Sequence, residues 1–161
     1  MKRIVSISLG SSKRDHTFET ELLGERVVLE RIGTDGDIEK LKSLFRELDE
    51  KVDAFGLGGA DIYLVTGKRR YILREPYLWT REAKITPVAD GSGMKNTLER
   101  EVVKYLSEKG IVKKDTKALV MTGVDRTGMA EGFAKVCDKV IFGDFPFSLG
   151  IPIYILSLIH I

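Results

Sequence analysis

A chain of 161 residues can bury one good core, and 43% hydrophobic with 31% charged residues is the make-up of a globular protein, not a disordered one. Its 26 basic and 24 acidic residues are spread along the whole length, for a formal net charge of +2, so no basic stripe of the kind a phosphate backbone requires is present and nucleic acid is a poor partner. The only cysteine, Cys137, excludes an intrachain disulfide, and no uninterrupted apolar run approaches the ~20 residues that cross a bilayer, so a cytoplasmic protein without a membrane segment is expected.

Residues 3–9 alternate with period two, Val5, Ile7 and Leu9 on one face and Ser6 and Ser8 on the other, which predicts a strand ended by Gly10-Ser11-Ser12. Runs at 17–23 and 26–32 flank Gly24-Glu25, and glycine at the first central position predicts a type II′ hairpin turn. Thr34-Asp35-Gly36-Asp37 has the spacing of a helix start. Ile38, Leu41, Leu44, Phe45 and Leu48 then recur at helical spacing, a stripe that must lie on a sheet because an isolated helix of this length is marginal in water. Residues 52–57 read as a buried strand closing on Gly58-Gly59, and 62–65 with 70–73 as a second hairpin.

From residue 84 the pattern becomes strand, glycine turn, helix, strand. A strand at 84–89 leads through Asp90-Gly91-Ser92-Gly93 into a helix with Leu98, Val102, Tyr105 and Leu106 on its inner face and Gly110 at its left-handed cap. Ala118-Leu119-Val120-Met121 has no alternation, which predicts a parallel strand buried on both faces. After the turn at 123–128, Met129, Ala130, Phe133, Ala134 and Cys137 form the inner face of a helix, and 140–142 return as a strand. The expected class is α/β: a Rossmann-like three-layer fold with a mixed sheet, antiparallel hairpins in the first half and a parallel βαβ unit in the second. Residues 1–154 read as a single α/β domain or the N-terminal part of a longer α/β protein, and 155–161 as a non-native tail.

Two turns carry the candidate chemistry. Gly123 to Gly128 runs from a strand into a helix start, where unpaired N–H groups and the positive end of the dipole favour an anion, and Asp144 closes the next strand near the position that accepts ribose hydroxyls in dinucleotide sites. The spacing matches neither the dinucleotide fingerprint nor the P-loop. A plain alternative has Asp125 capping the helix, Arg126 on a surface carboxylate and Asp144 capping the following loop. In the second turn Lys95 sits early in a helix, unfavourably for a cation, which suits a lysine that meets a bound anion or works as an acid/base; a solvated surface lysine is the alternative.

At the first strand end, Ser6, Ser8 and Gly10-Ser11-Ser12-Lys13-Arg14 could grip a carboxylate, or form no more than a serine-rich turn. His16 and His160 are the only histidines, so no histidine-rich metal site is expected. The basic cluster of Lys68, Arg69, Arg70 and Arg74 near Tyr63, Tyr71 and Tyr77 reads as a charged hairpin tip in preference to a nucleic-acid patch.

Residues 125–130 (Asp-Arg-Thr-Gly-Met-Ala), with Phe142-Gly143-Asp144-Phe145 and Leu149-Gly150-Ile151-Pro152-Ile153, resemble a bacterial family that carries the name quinate 5-dehydrogenase. Ser6 to Asp15, Arg31 to Gly36, Asp53 to Gly56 and Asp90 to Glu101 resemble its N-terminal half, so the likeness covers about residues 1–153. It lacks the Asn-Val-Thr-x-Pro-x-Lys segment of established shikimate and quinate dehydrogenases. The resemblance implies oxidation of a quinate- or shikimate-like cyclic hydroxy acid by NAD or NADP. Lys95 is then the candidate base, Asp125 orients it or contacts substrate, Gly123, Arg126, Gly128 and Asp144 hold the cofactor, and Ser6, Ser8, Ser11, Ser92 and Asn96 hold the substrate. Family members are longer, so the chain would be an N-terminal fragment, with room for a homo-oligomer. A non-redox sugar-phosphate or nucleotide-binding enzyme or sensor, and a non-catalytic binding module, are the other expectations.

Overall fold

In the computed structural model, which describes residues 1–66, 69–144, 147, 150 and 153, the alternation at the N-terminus produces β1 (Lys2–Ser8), with Val5 and Ile7 wholly buried. A single 3-10 turn (Ser12–Arg14) leads to β2 (His16–Leu22) and β3 (Glu25–Gly33), which pair antiparallel. Leu22 faces Glu25, so the loop is Leu23-Gly24, with φ of +54° and +81°. This is a two-residue turn of the type I′ kind in place of the expected II′: glycine takes the second central position. The register that places Phe18 opposite Leu29 and Thr20 opposite Val27 decides it, because a one-residue slip would carry Val27, which is buried, to the other face.

Asp37 caps α1 (Ile38–Leu48) by accepting from Lys40 N at 2.9 Å. Then come β4 (Ala54–Gly58), the ribbon of β5 (Tyr63–Thr66) and β6 (Arg69–Ile72), the helix α2 (Arg74–Thr80), and β7 (Val88–Ala89). The sequence pattern missed α2, whose Pro76 is tolerated because it lies in the first turn. The expected strand at 84–89 shrinks to two residues, since the N–H groups of Lys84, Ile85 and Thr86 all donate to the Asp49 carboxylate in place of a neighbouring strand.

Five strands form one mixed sheet in the order β2-β3-β1-β4-β7, parallel except for β2 at the edge. Leu41 and Phe45 of α1 pack on Val5, Ile7, Phe55 and Leu57, with Tyr77 and Trp79 from the α2 segment against the same cluster. The Phe45 and Phe55 rings meet edge-on at 5.1 Å between centroids. These elements belong to the first of two compact units, Met1–Tyr63 with Ile72–Gly91.

The second unit takes Leu64–Tyr71 and the chain from Ser92. It holds α3 (Ser92–Asn96), α4 (Leu98–Glu108), β8 (Lys117–Val120), α5 (Thr127–Val136) and β9 (Lys139–Phe142). β8 and β9 are parallel, Val120 opposite Phe142, over a core of Val112, Val120, Ala130, Cys137, Val140 and Phe142. Two expectations fail. Leu119 and Met121 are each 54% exposed, so β8 alternates where burial on both faces was expected. Leu98, Val102 and Tyr105 are exposed too: the helix breaks at Thr97, and α4 turns Val103 inward, with the missing side chain of Gly132 making room for it. Gly110 adopts φ +70° as the left-handed residue after α4. The architecture is α/β with a mixed sheet, and no helix among the described residues is long and apolar enough to cross a membrane. The hairpin tip at 67–68 and the tail at 155–161 lie outside the described residues.

Candidate functional site

In the first unit, the chain leaves β1 towards β2 and β3 on one side, and leaves β4 towards β7 on the other. The loops after β1 and β4 therefore diverge, which is the topological switch point where parallel α/β sheets place ligands, at the carboxyl ends of the strands. The floor there is backbone: Leu9 N donates to Gly58 O at 3.0 Å, and Gly59, at φ +77°, lies so close that a Cβ would sit 3.2 Å from Leu9 Cβ. Gly10 N donates to Ser8 Oγ at 3.1 Å, and Asp35 N to Gly10 O.

Carboxylates hold the surrounding loops. Asp35 accepts from Ser12 N at 2.8 Å, and this hydrogen bond lowers its pKa from the ordinary value. Asp15 Oδ1 accepts from Gly33 N and from Arg31 Nη1, and the same Nη1 reaches Ser11 O. Asp90, after β7, accepts from Ile62 N at 2.6 Å and Tyr63 N at 3.0 Å, pinning the chain that follows β4. The hydroxyls expected to hold substrate serve the backbone here: Ser8 is buried on Gly10, and Ser11 accepts from Lys13 N. Ser6 faces the opposite side of the sheet from Val5 and Ile7, in a shallow depression with Ile4, Phe18 and Leu29.

In the second unit the structure brings Lys95 and Asp125 together. Lys95 Nζ donates to both carboxylate oxygens, at 3.0 and 2.8 Å, and the two side chains are 18% and 36% exposed. α3 is only five residues long, so Lys95 stands in its last turn and the dipole mismatch expected from the sequence disappears. Gly128 carries no Cβ because one would collide with Asn96 O at 2.8 Å and crowd Lys95 O more closely still; its role is close packing of α5 on the α3 backbone. Ser92 is buried, its carbonyl accepting from Asn96 Nδ2 at 3.2 Å.

The turn after β8 already holds an anion, and that anion is Asp144. Its Oδ2 accepts from Gly123 N at 3.0 Å and its Oδ1 from Val124 N at 2.9 Å. Arg126 pairs with Glu99, and Arg100 with Glu131 at 2.7 Å, bolting α4 to the α5 segment. The plain alternative is met only in part: Arg126 sits on a carboxylate, but on the largely buried Glu99, while Asp144 holds the turn before α5 and not the loop that follows β9, and Asp125 pairs with Lys95 in place of capping the helix. The turn does not fit a dinucleotide pyrophosphate while Asp144 occupies both amides. Among the described residues no cluster of three or more metal-ligating side chains exists.

Sequence reasoning did not single out Arg31 as a site residue, because it lies in a strand and is brought to the β1 loop by sheet pairing. Ser6 lies opposite Arg31 in the β1–β3 register, and no local motif reveals such a pairing.

Two family models match the chain, each described as a domain of unknown function: DUF8753 over residues 3–90 and DUF8754 over residues 93–161. The division between them falls where the two compact units divide, at Gly91 and Ser92. No curated protein and no solved structure matches.

Proposed function

The chain belongs to the family described as domain of unknown function DUF8753, which covers more than half of it, and from that footing we propose that it binds a small anionic ligand at the carboxyl ends of β1 and β4, as a non-redox binding enzyme or sensor. The supporting observation is the glycine-floored switch point in the first unit, ringed by loops that carboxylates hold in place. Asp144 supports the same choice by filling the rival amide pair. Isothermal titration of the whole chain with sugar phosphates, ATP, shikimate, quinate, NAD and NADP tests it. One-to-one binding of a phosphate- or carboxylate-bearing ligand, unchanged by Asp144→Asn, is expected. No binding, or binding that Asp144→Asn abolishes, would contradict it.

The Lys95–Asp125 pair favours a second reading, an NAD(P)-dependent dehydrogenase for a quinate- or shikimate-like acid. A lysine amine beside a carboxylate can hold the proton that a ring hydroxyl gives up on oxidation. The nicotinamide would supply the hydride acceptor in such a reaction, whereas the amides expected to cradle the dinucleotide donate to Asp144. A rise in reduced-nicotinamide absorbance with quinate or shikimate that Lys95→Met abolishes would establish this reading; no rise with either acid would remove it.

A further inference from the structure

We propose that Arg14 and Arg31 form a seat for a tetrahedral oxyanion, the phosphoryl group of a small phosphate ester, over Gly10 at the end of β1. The inference rests on the anion-binding reading above and assigns its ligand class and its residues. Gly10 is the point where the two side chains meet: a Cβ there would collide with Arg14 Nη2, lie 3.0 Å from Arg31 Nη2 and 3.3 Å from Ser8 Oγ. Two guanidinium groups drawn to one spot repel each other, at a cost that falls only where an opposite charge stands nearby.

Arg31 has such a charge. Its Nη1 is fixed by Asp15 at 2.8 Å and by Ser11 O at 3.0 Å, which leaves Nη2 directed at Gly10 from a side chain only 17% exposed. Arg14 has none: among the described residues no carboxylate pairs with its guanidinium, and its hydrogen bonds, its N donating to Ser11 O and its O accepting from His16 Nδ1, are through its backbone. The centre therefore carries one uncompensated positive charge beside one pre-positioned fork, on a floor with no side chain. A carboxylate offers two oxygens in one plane and is satisfied by a single fork, whereas a phosphoryl group has three oxygens and accepts from forks that approach from two directions. The 3-10 turn that carries Arg14 starts with Ser11 Oγ accepting from Lys13 N, so the loop is ordered before a ligand arrives.

Backbone-amide NMR of the whole chain, titrated with inorganic phosphate and separately with acetate, tests the assignment. Phosphate is expected to shift the Gly10, Ser11 and Arg14 amides, and Arg14→Gln to weaken its apparent affinity about tenfold, the loss of one charge-assisted contact. Arg14 is exposed and, among the described residues, its guanidinium pairs with no carboxylate, so the variant is expected to keep the fold and, without phosphate, to melt no lower than the parent. Phosphate affinity equal in Arg14→Gln and the parent overturns the assignment, and so does an acetate response as large as that to phosphate. If a ligand found by calorimetry binds while these amides stay unmoved, the seat is refuted and the anion-binding reading stands. If no anion binds at all, both fall.

Discussion

Asp144 and Gly128 show how single residues shape the second unit. Asp144 accepts from the backbone amides of Gly123 and Val124, so Asp144→Ala is expected to destabilise the chain by about 1–3 kcal/mol, read from urea midpoints. Gly128→Val places a branched side chain against the Asn96 carbonyl and should cost about 1–3 kcal/mol through backbone displacement, whether or not any ligand is present. At Asp49 the backbone N–H of Thr86, then that of Lys84, hold the carboxyl at a pKa of about 2, below the ordinary 3.8. Asp35, through Ser12, and Asp53, through the Arg3 N–H and Lys2, are lowered as well. A depressed carboxylate stabilises the fold above its unfolded value, and that stability is lost as pH falls through the folded one. Stability should therefore decline between pH about 4 and about 2, and Asp49→Asn, less stable at neutral pH, should show a shallower decline across that window in pH-dependent urea melts.

Among the elements, α1 carries the core of the first unit, and Phe45→Ala should lower its stability by about 3–5 kcal/mol, the range for deleting a buried aromatic ring, measured by urea unfolding. This helix was legible in the sequence through its stripe, since Leu41 and Phe45 are wholly buried, but its start lies three residues later than the Thr34 spacing suggested: Asp37 is the cap, accepting from Lys40 N, and Thr34 Oγ1 makes no hydrogen bond among the described residues. β1 was legible for the same reason, its alternation matching a sheet with one face under helices. α4 was not, because Leu98, Val102 and Tyr105 recur at helical spacing on a face that stays exposed. Periodicity shows that a face is apolar, and only the break at Thr97 decides which face turns inward. β7 was overestimated because nothing local announces that Asp49, thirty-five residues before Lys84, takes the amides a strand would have used.

At the scale of the whole molecule, the candidate chemistry separates by unit. Lys95, Asp125 and the filled turn at Gly123 belong to the second, and the glycine-floored strand ends belong to the first. The sequence marked both regions through their glycines and charges, since a glycine before a helix and a serine-rich strand end are local signals. Which of the two we propose as the anion site was not legible, because the choice rests on Asp144 filling one turn from twenty-one residues away and on Arg31 arriving beside Gly10 through strand pairing. Hydrogen exchange by mass spectrometry, with and without a saturating phosphate ester that binds in calorimetry, tests the central claim most directly. Slowed exchange at residues 8–14 and 31–36, with residues 122–128 unchanged, is the predicted result; slowed exchange confined to 122–128 would contradict it.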